Sequence, residues 1–127
     1  MNTPFIIRAF HIEEHTMYFP VLQITFSPTG MPEWVQVSPT KILPGDSVII
    51  DFAIGIKDQE NKHIFSRDIV QVDGGGHHFL GEVYYDTSSP GYYLRDEFGE
   101  KLKLYQADSP SYKIINNIHQ SIFPTQK

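Results

Sequence analysis

The sequence contains no cysteine. This absence excludes a disulfide scaffold, a zinc site built on thiolates and a cysteine nucleophile, and it fits a reducing compartment such as the cytosol. No run of about 18 apolar residues occurs, so no transmembrane helix is expected. The first residues also lack the basic and apolar regions of a signal peptide. We therefore expect a cytoplasmic protein that is not associated with a membrane.

Positive charge is scarce as well: 10 Lys and Arg residues stand against 15 Asp and Glu residues, for a formal net charge of −5. An acidic chain repels phosphate backbones at long range, which favours a protein partner over nucleic acid. The acidic residues show no spacing that singles out a catalytic pair, and no Ser-His-Asp arrangement is visible. The composition therefore favours a non-enzymatic protein without a cofactor.

The sequence does contain many short segments in which apolar and polar residues alternate. Such alternation, with many β-branched and aromatic residues, is typical of strands. Glycine- and proline-rich turns separate the segments, and no window has a helical stripe with a cap at both ends. The pattern predicts an all-β, small barrel-like fold. The strand-like segments are 21–26, 34–37, 47–52, 69–72, 82–85, 92–96, 101–105 and 112–118.

The stretch DIVQVDGGGHHFLGEV, residues 68–83, is best interpreted as a hairpin. Its glycines lack the Lys-Ser/Thr and the following helix of a phosphate-binding loop. Alternating residues on both sides of an Asp-Gly turn predict two antiparallel strands, as in SH3-like barrels. We expect Asp68 to accept backbone N–H bonds at the strand entry and Asp58 to form an Asx-turn. The chain is expected to form one domain, 1–127, with a β-rich N-terminal lobe at 1–52 and an SH3-like barrel region at 53–127.

Three segments of the sequence each contain a motif that strand alternation does not explain. The start, FIIRAFHIEEHTMYFP, contains a RAW-like strand and a Met-Tyr pair, and the end, YKIINNI, is similar to an IGNIYENPEL-like segment. The central GIKDQENKHIFSRDIVQV is similar to a TGLKDKNGKEIYEGDIV-like motif. Together these segments resemble the YopX-like proteins of phages and prophages. The central matches are Gly55, Lys57, Asp58, Lys62, Ile64, Phe65, Asp68, Ile69 and Val70.

The chain departs from the family pattern mainly at turns. Asn61 replaces the glycine of an Asn-Gly turn, Arg67 replaces the glycine before Asp68, and Asn116 replaces another glycine. These changes alter local turn geometry and remove no catalytic group. The resemblance implies a β-rich fold and a phage or prophage origin, and it implies no known reaction or catalytic residue.

Histidines and tyrosines are the candidates for binding. His77 and His78 are adjacent, so their side chains point to opposite faces of a strand, and a metal-dependent hydrolase that uses one of them with Asp73 is the least favoured alternative. Each Tyr-Tyr pair likewise directs one ring to each face, so outward rings beside cations are candidates to hold a peptide or stack bases. The predicted binding residues are His77, His78, Tyr85, Tyr93, Arg95 and Lys101.

Three kinds of partner remain open at this point. A host or phage protein is favoured, and self-association through exposed strand edges is an alternative. Nucleic acid is favoured only if the cations converge on one face. These cations are Arg67, Arg95, Lys101, Lys103 and Lys113.

Overall fold

A computed structural model describes residues 6–74 and 77–120 of the chain. Strands account for 59% of these residues and short 3-10 turns for 8%. One sheet curls into a half barrel, and the prediction of an all-β, barrel-like fold is confirmed. The finer assignment to an SH3-like barrel stays a prediction.

Short antiparallel strands follow one another along the described residues. No helix in these ranges is long and apolar enough to cross a membrane. The 3-10 turns lie at Gly45–Ser47 and Gln106–Ser111. The strands are β1 (Ile7–His11), β2 (Thr16–Tyr18), β3 (Gln23–Phe26), β4 (Pro32–Ser38), β5 (Lys41–Pro44), β6 (Val48–Lys57), β7 (His63–Phe65), β8 (Asp68–Gly74), β9 (His77–Asp86), β10 (Gly91–Arg95), β11 (Lys101–Lys103) and β12 (Tyr112–Asn117).

The chain forms two compact units, Met1–Phe52 and Ala53–Lys127. Strand β6 contributes to both of them. Its first half pairs with β1 in the first unit, and its second half pairs with β7 in the second. The register of β6 with β7 shifts between Ala53 and Lys57, where Gly55 has a φ of +88°. A glycine is suited to this position because a left-handed φ strains any residue that has a Cβ.

The first unit packs two sets of antiparallel strands around its own core. Strand β1 lies between β2 and β6, and β4 lies between β3 and β5. Residues 20–50 thus contribute a three-stranded sheet to this unit. Alternate residues of these strands are apolar and point inward, as the two-residue period requires. The buried core residues are Ala9, Val35, Val37, Leu43 and Val48.

The second unit is built on a five-stranded antiparallel sheet in the order β11-β10-β9-β8-β12. Its strands pack closely at Gly81, where an added Cβ would lie 2.8 Å from the carbonyl oxygen of Arg95. One face of the sheet, together with β7, encloses the core. The buried core residues are Ile64, Val70, Val83, Leu94, Leu104 and Tyr112.

The hairpin predicted from DIVQVDGGGHHFLGEV is formed by β8 and β9. The ladder continues as far as the pairs Asp73↔His78 and Gly74↔His77, so both histidines belong to a strand and not to the loop. The other two glycines of the run, 75 and 76, lie outside the described residues.

Both turn carboxylates behave as predicted. Asp68 is buried, and its Oδ2 accepts the N–H of Phe65 at 2.8 Å. Asp58 is also buried, and its Oδ1 accepts the N–H groups of Glu60 and Lys62, each at 2.9 Å. These two acidic residues of the central motif therefore hold turns in place.

Candidate functional site

Tyrosines and cations lie together on one face of the five-stranded sheet. Directly paired residues of antiparallel strands point to the same side. Tyr93 pairs with Tyr84 on β9 and with Lys103 on β11, and Arg95 pairs with Lys101. The alternation of side chains places all five residues on one face. We define the cationic tyrosine surface as these five residues and the neighbouring Tyr105.

The cations of this surface lie over aromatic rings. The guanidinium carbon of Arg95 is 4.4 Å from the ring centroid of Tyr84, and the Nζ of Lys101 is 4.9 Å from that of Tyr93. The Nζ of Lys103 lies 5.9 Å from the Tyr93 ring and 5.7 Å from the Tyr105 ring. A cation within about 6 Å of a ring centroid is attracted by the negative π-face. The rings therefore hold the three positive charges at defined positions.

The three cations differ in what else they bind. Lys101 donates to the Oδ2 of Asp86 at 2.6 Å. This hydrogen bond is the main cause that lowers the pKa of Asp86, assisted by the N–H groups of Ser89 and Ser88, and it raises the pKa of Lys101. Within residues 6–74 and 77–120, neither Arg95 nor Lys103 forms an ion pair. Their charges are therefore available to an anionic group.

Three of the six predicted binding residues, Tyr93, Arg95 and Lys101, lie on the cationic tyrosine surface. Tyr85 points to the opposite face, where its half-exposed ring contacts Tyr92 edge-on at a centroid distance of 5.1 Å. His78 is the second residue of the same strand, β9, and lies near the end opposite Tyr85. The side chain of His77 lies outside the described part of the structure.

Tyr93 points to the face of the sheet opposite the buried Val83 and Leu94, but its ring is buried there. Only 9% of the residue is exposed. Its neighbours on the two adjacent strands, Tyr84 and Lys103, flank it, and Lys101 lies over its ring. Tyr93 therefore supports the cations from below and offers no free ring face to a partner.

The predicted binding residues do not include Tyr84, and they include Lys103 only in the set of cations considered for nucleic acid. The signal for both is present in the alternation. Val83 and Leu94 are fully buried. Their neighbours along the strands, Tyr84 and Tyr93, must then point to the other face. In KLKLY, residues 101–105, the leucines alternate with the lysines in the same way. Periodicity thus predicts the face, whereas burial of the ring depends on neighbouring strands.

The histidine and metal alternative gains little from the geometry. The Nδ1 of His78 lies 2.6 Å from the Oδ1 of Asp73, and the two side chains are 82% and 51% exposed. Among residues 6–74 and 77–120, no three His, Asp or Glu side chains lie close enough to hold a metal ion. A single exposed pair matches surface ion pairing better than a metal centre.

The first unit has polar groups of a different kind. The Nε of Arg8 donates to the Oδ2 of Asp51 at 3.0 Å, and the two side chains are 8% and 0% exposed. In the sequence, each is a single charge within an apolar strand, IIRAF or VIIDF, and the charges are opposite. That combination is a signal of a buried ion pair, although sequence does not show which charges meet.

The outer face of the three-stranded sheet carries exposed apolar side chains. Trp34 is 49% exposed and Ile42 is 58% exposed. Trp34 pairs with Thr25 on β3 and with Pro44 on β5. The next pair along the two strands, Val35 and Leu43, is buried in the core, so the adjacent Trp34 points to the opposite face.

Comparison with known proteins identifies the fold and no function. No protein family matches the sequence, and no curated protein matches it. Among solved structures, the chain is similar to the crystal structure of protein EF1440 from Enterococcus faecalis, with 21% sequence identity and a TM-score of 0.67. The similarity covers 94% of this chain and 96% of that protein. At this identity the likeness concerns the fold alone.

Proposed function

We propose that this chain is a non-enzymatic β-barrel module that binds a protein partner through the cationic tyrosine surface. The observation that carries the proposal is the placement of Arg95 and Lys103. Both are held against aromatic rings on a sheet, and neither forms an ion pair within the described ranges. Cations that are fixed in position and unpaired bind an anionic group at a low cost in side-chain entropy.

We further propose that the module is a YopX-like protein, encoded by a phage or prophage, that acts in the cytoplasm of the host cell. The backbone at three positions of the central motif supports this origin. Gly55, Asn61 and Arg67 have φ values of +88°, +66° and +69°. These are the three positions at which the YopX-like motif has glycine. Glycine is the residue that tolerates a left-handed backbone.

A structural role of the motif also supports a non-enzymatic module. Asp58 and Asp68 are buried and bind backbone N–H groups of their own turns. Asp58 additionally accepts the N–H of Ile114, at 3.3 Å, with its second oxygen. Buried carboxylates that accept backbone N–H groups stabilise loops, and they are poorly placed to exchange protons with a substrate.

A protein partner is favoured over nucleic acid for two reasons. The ring faces of Tyr84 and Tyr93 are already occupied by cations, so bases have little free surface on which to stack. Of the five cations whose convergence would favour nucleic acid, Lys113 lies on the other edge strand and Arg67 lies outside the strands. Nucleic-acid binding is therefore the second candidate, favoured by the three cations that do converge.

A quantitative pull-down tests the proposal. The immobilised full-length chain is incubated with extract of bacteria that express it, and it is compared with a variant that carries Arg95→Ala and Lys103→Ala. We expect a specific protein whose recovery falls about tenfold or more in the variant, and which Lys113→Ala does not affect. Salt-sensitive binding of oligothymidylate, without any surface-dependent protein, would contradict the proposal and support the nucleic-acid candidate.

A further inference from the structure

The two edges of the five-stranded sheet differ in how their backbone groups are satisfied. Along β12, the carbonyl oxygen of Tyr112 accepts the N–H of Gln59 at 2.8 Å, and the N–H of Ile114 reaches the carboxylate of Asp58. The loop that contains Asp58 thus covers this edge. Along β11, no strand pairs with the outer side within residues 6–74 and 77–120. An edge of this kind is a template for one more strand.

The open backbone groups of β11 belong to its two lysines. The N–H of Leu104 donates to the carbonyl oxygen of Tyr92 on β10, at 2.9 Å. Alternate residues of a strand direct their N–H and C=O groups to the same side. Leu102 therefore faces β10 with its backbone, and the backbone groups of Lys101 and Lys103 point away from the sheet.

The side chains of the same two lysines determine which segment fits. Residues of an added strand that lie directly opposite Lys101 and Lys103 share their face of the sheet. They also lie beside Arg95, which pairs with Lys101. Acidic side chains at alternate positions therefore match the charge of this edge. Leu102 is 37% exposed on the other face, and it favours an apolar residue between the two acidic ones.

A second copy of the chain does not fit this edge. Pairing of β11 with β11 would place lysines opposite lysines, and like charges in directly opposite positions destabilise a sheet. Pairing of β11 with β12 is blocked by the loop bonds of Tyr112 and Ile114. The edge thus discriminates against self-association and in favour of an acidic partner.

We propose that an extended segment of the partner protein, in which acidic and apolar residues alternate, adds to β11 as a further strand. The inference rests on the proposed function and specifies the partner's chemistry. Main-chain hydrogen bonds to Lys101 and Lys103 supply affinity, and the alternating carboxylates supply specificity through the ammonium group of Lys103 and the guanidinium group of Arg95.

Binding of synthetic peptides to the full-length chain tests this inference. The probe is the labelled peptide TELEVET, and its main control carries N-methyl groups on the two glutamates that flank leucine. That control keeps every side chain and charge but loses the N–H groups that would pair with β11. A second control, TKLKVKT, reverses the charge. Binding is measured by fluorescence anisotropy, and amide hydrogen exchange locates it on the protein.

We expect TELEVET to bind and to slow exchange at the N–H groups of Lys101 and Lys103. N-methylation should weaken binding about tenfold or more, and so should Lys103→Glu. Lys113→Glu, the same change on the covered edge, should have little effect. Equal affinity for the N-methylated peptide would overturn strand addition, and this result requires no variant of the protein. Protection that maps to β12 would overturn it as well.

The outcomes separate this inference from the proposed function. If the pull-down yields a partner that depends on Arg95 and Lys103 but TELEVET does not bind, the module binds proteins by another geometry and strand addition is wrong. If Lys103→Glu abolishes binding of oligothymidylate and no acidic peptide binds, both proposals fail in favour of nucleic acid.

Discussion

The two units use their aspartates differently. In the first unit, Asp51 is buried and pairs with Arg8, a residue 43 positions away in the chain. In the second unit, Asp58 and Asp96 bind N–H groups two and four residues further on. The buried aspartate of the first unit therefore depends on a distant side chain, whereas the aspartates of the second bind mainly the backbone of their own turns.

Loops of the same geometry occur in both units. Ser27, Asp58 and Asp96 each begin a loop in which the side-chain oxygen accepts an N–H from four residues further on, at 3.2, 2.9 and 2.8 Å. The residue three positions after the acceptor has a positive φ in every case. The values are +88°, +66° and +86° for Gly30, Asn61 and Gly99. The first unit uses a hydroxyl at this position and the second uses carboxylates. Charged acceptors form the stronger bond.

Removal of the distant partner in the first unit should have the largest effect. Arg8→Ala leaves the carboxylate of Asp51 buried without its guanidinium, and we expect the free energy of unfolding to fall by about 3–5 kcal/mol. Denaturant unfolding measures the loss. Lys62→Ala removes an exposed lysine 3.3 Å from Glu60, and it should cost less than about 1 kcal/mol. Equal effects of the two changes would mean that the buried ion pair adds nothing beyond a surface pair.

Removal of the loop acceptors should have intermediate effects that rank by burial and charge. Asp58 is 3% exposed and accepts three N–H groups, so Asp58→Ala should cost about 2–3 kcal/mol. Asp96→Ala, in the same loop geometry but nearer to solvent, should cost about 1 kcal/mol. Ser27→Ala should cost about 0.5 kcal/mol because the hydroxyl that it removes is a neutral acceptor.

These three variants are compared by the same denaturant unfolding. The ranking Asp58, Asp96, Ser27 is the expected result. A larger loss for Ser27→Ala than for Asp58→Ala would contradict the view that charge and burial set the strength of this loop.

The smallest effect is expected from pH at the surface pair of Asp86 and Lys101. The pKa of Asp86 is lowered in the folded state, so its contribution to stability is complete above about pH 4, the value of a free aspartate, and is lost as the pH falls through the folded pKa. The pKa of Lys101 is raised, so its contribution is complete below about pH 10 and is lost as the pH rises through the folded pKa.

Stability curves of the protein and of Asp86→Asn measure this dependence. We expect a constant difference between them from about pH 5 to about pH 9 and a smaller one at both extremes. A difference that does not change with pH would show that the pair stabilises the surface only through packing.

Sequence reasoning works best where a residue interacts with its own neighbourhood. Asp58 and Asp68 were predictable as turn carboxylates because each accepts a backbone N–H group from a residue no more than four positions away. The short strands β2, β5 and β7 are absent from the sequence-based prediction. They contain three, four and three residues, too few to show an alternation of their own. Partner strands, and not local pattern, make them strands.

The sequence by itself determined the all-β class, the hairpin of residues 68–83 and the turn carboxylates, because two-residue alternation and turn chemistry act over a few residues. Only the tertiary structure decided that Arg8 meets Asp51 and that Tyr93 is buried beneath Lys101. It also decided that, in the described part of the chain, no strand pairs with the outer side of β11 while the edge at β12 is covered. The physical reason is that burial, pairing and edge exposure depend on which strands lie side by side, and segments distant in the chain supply those neighbours.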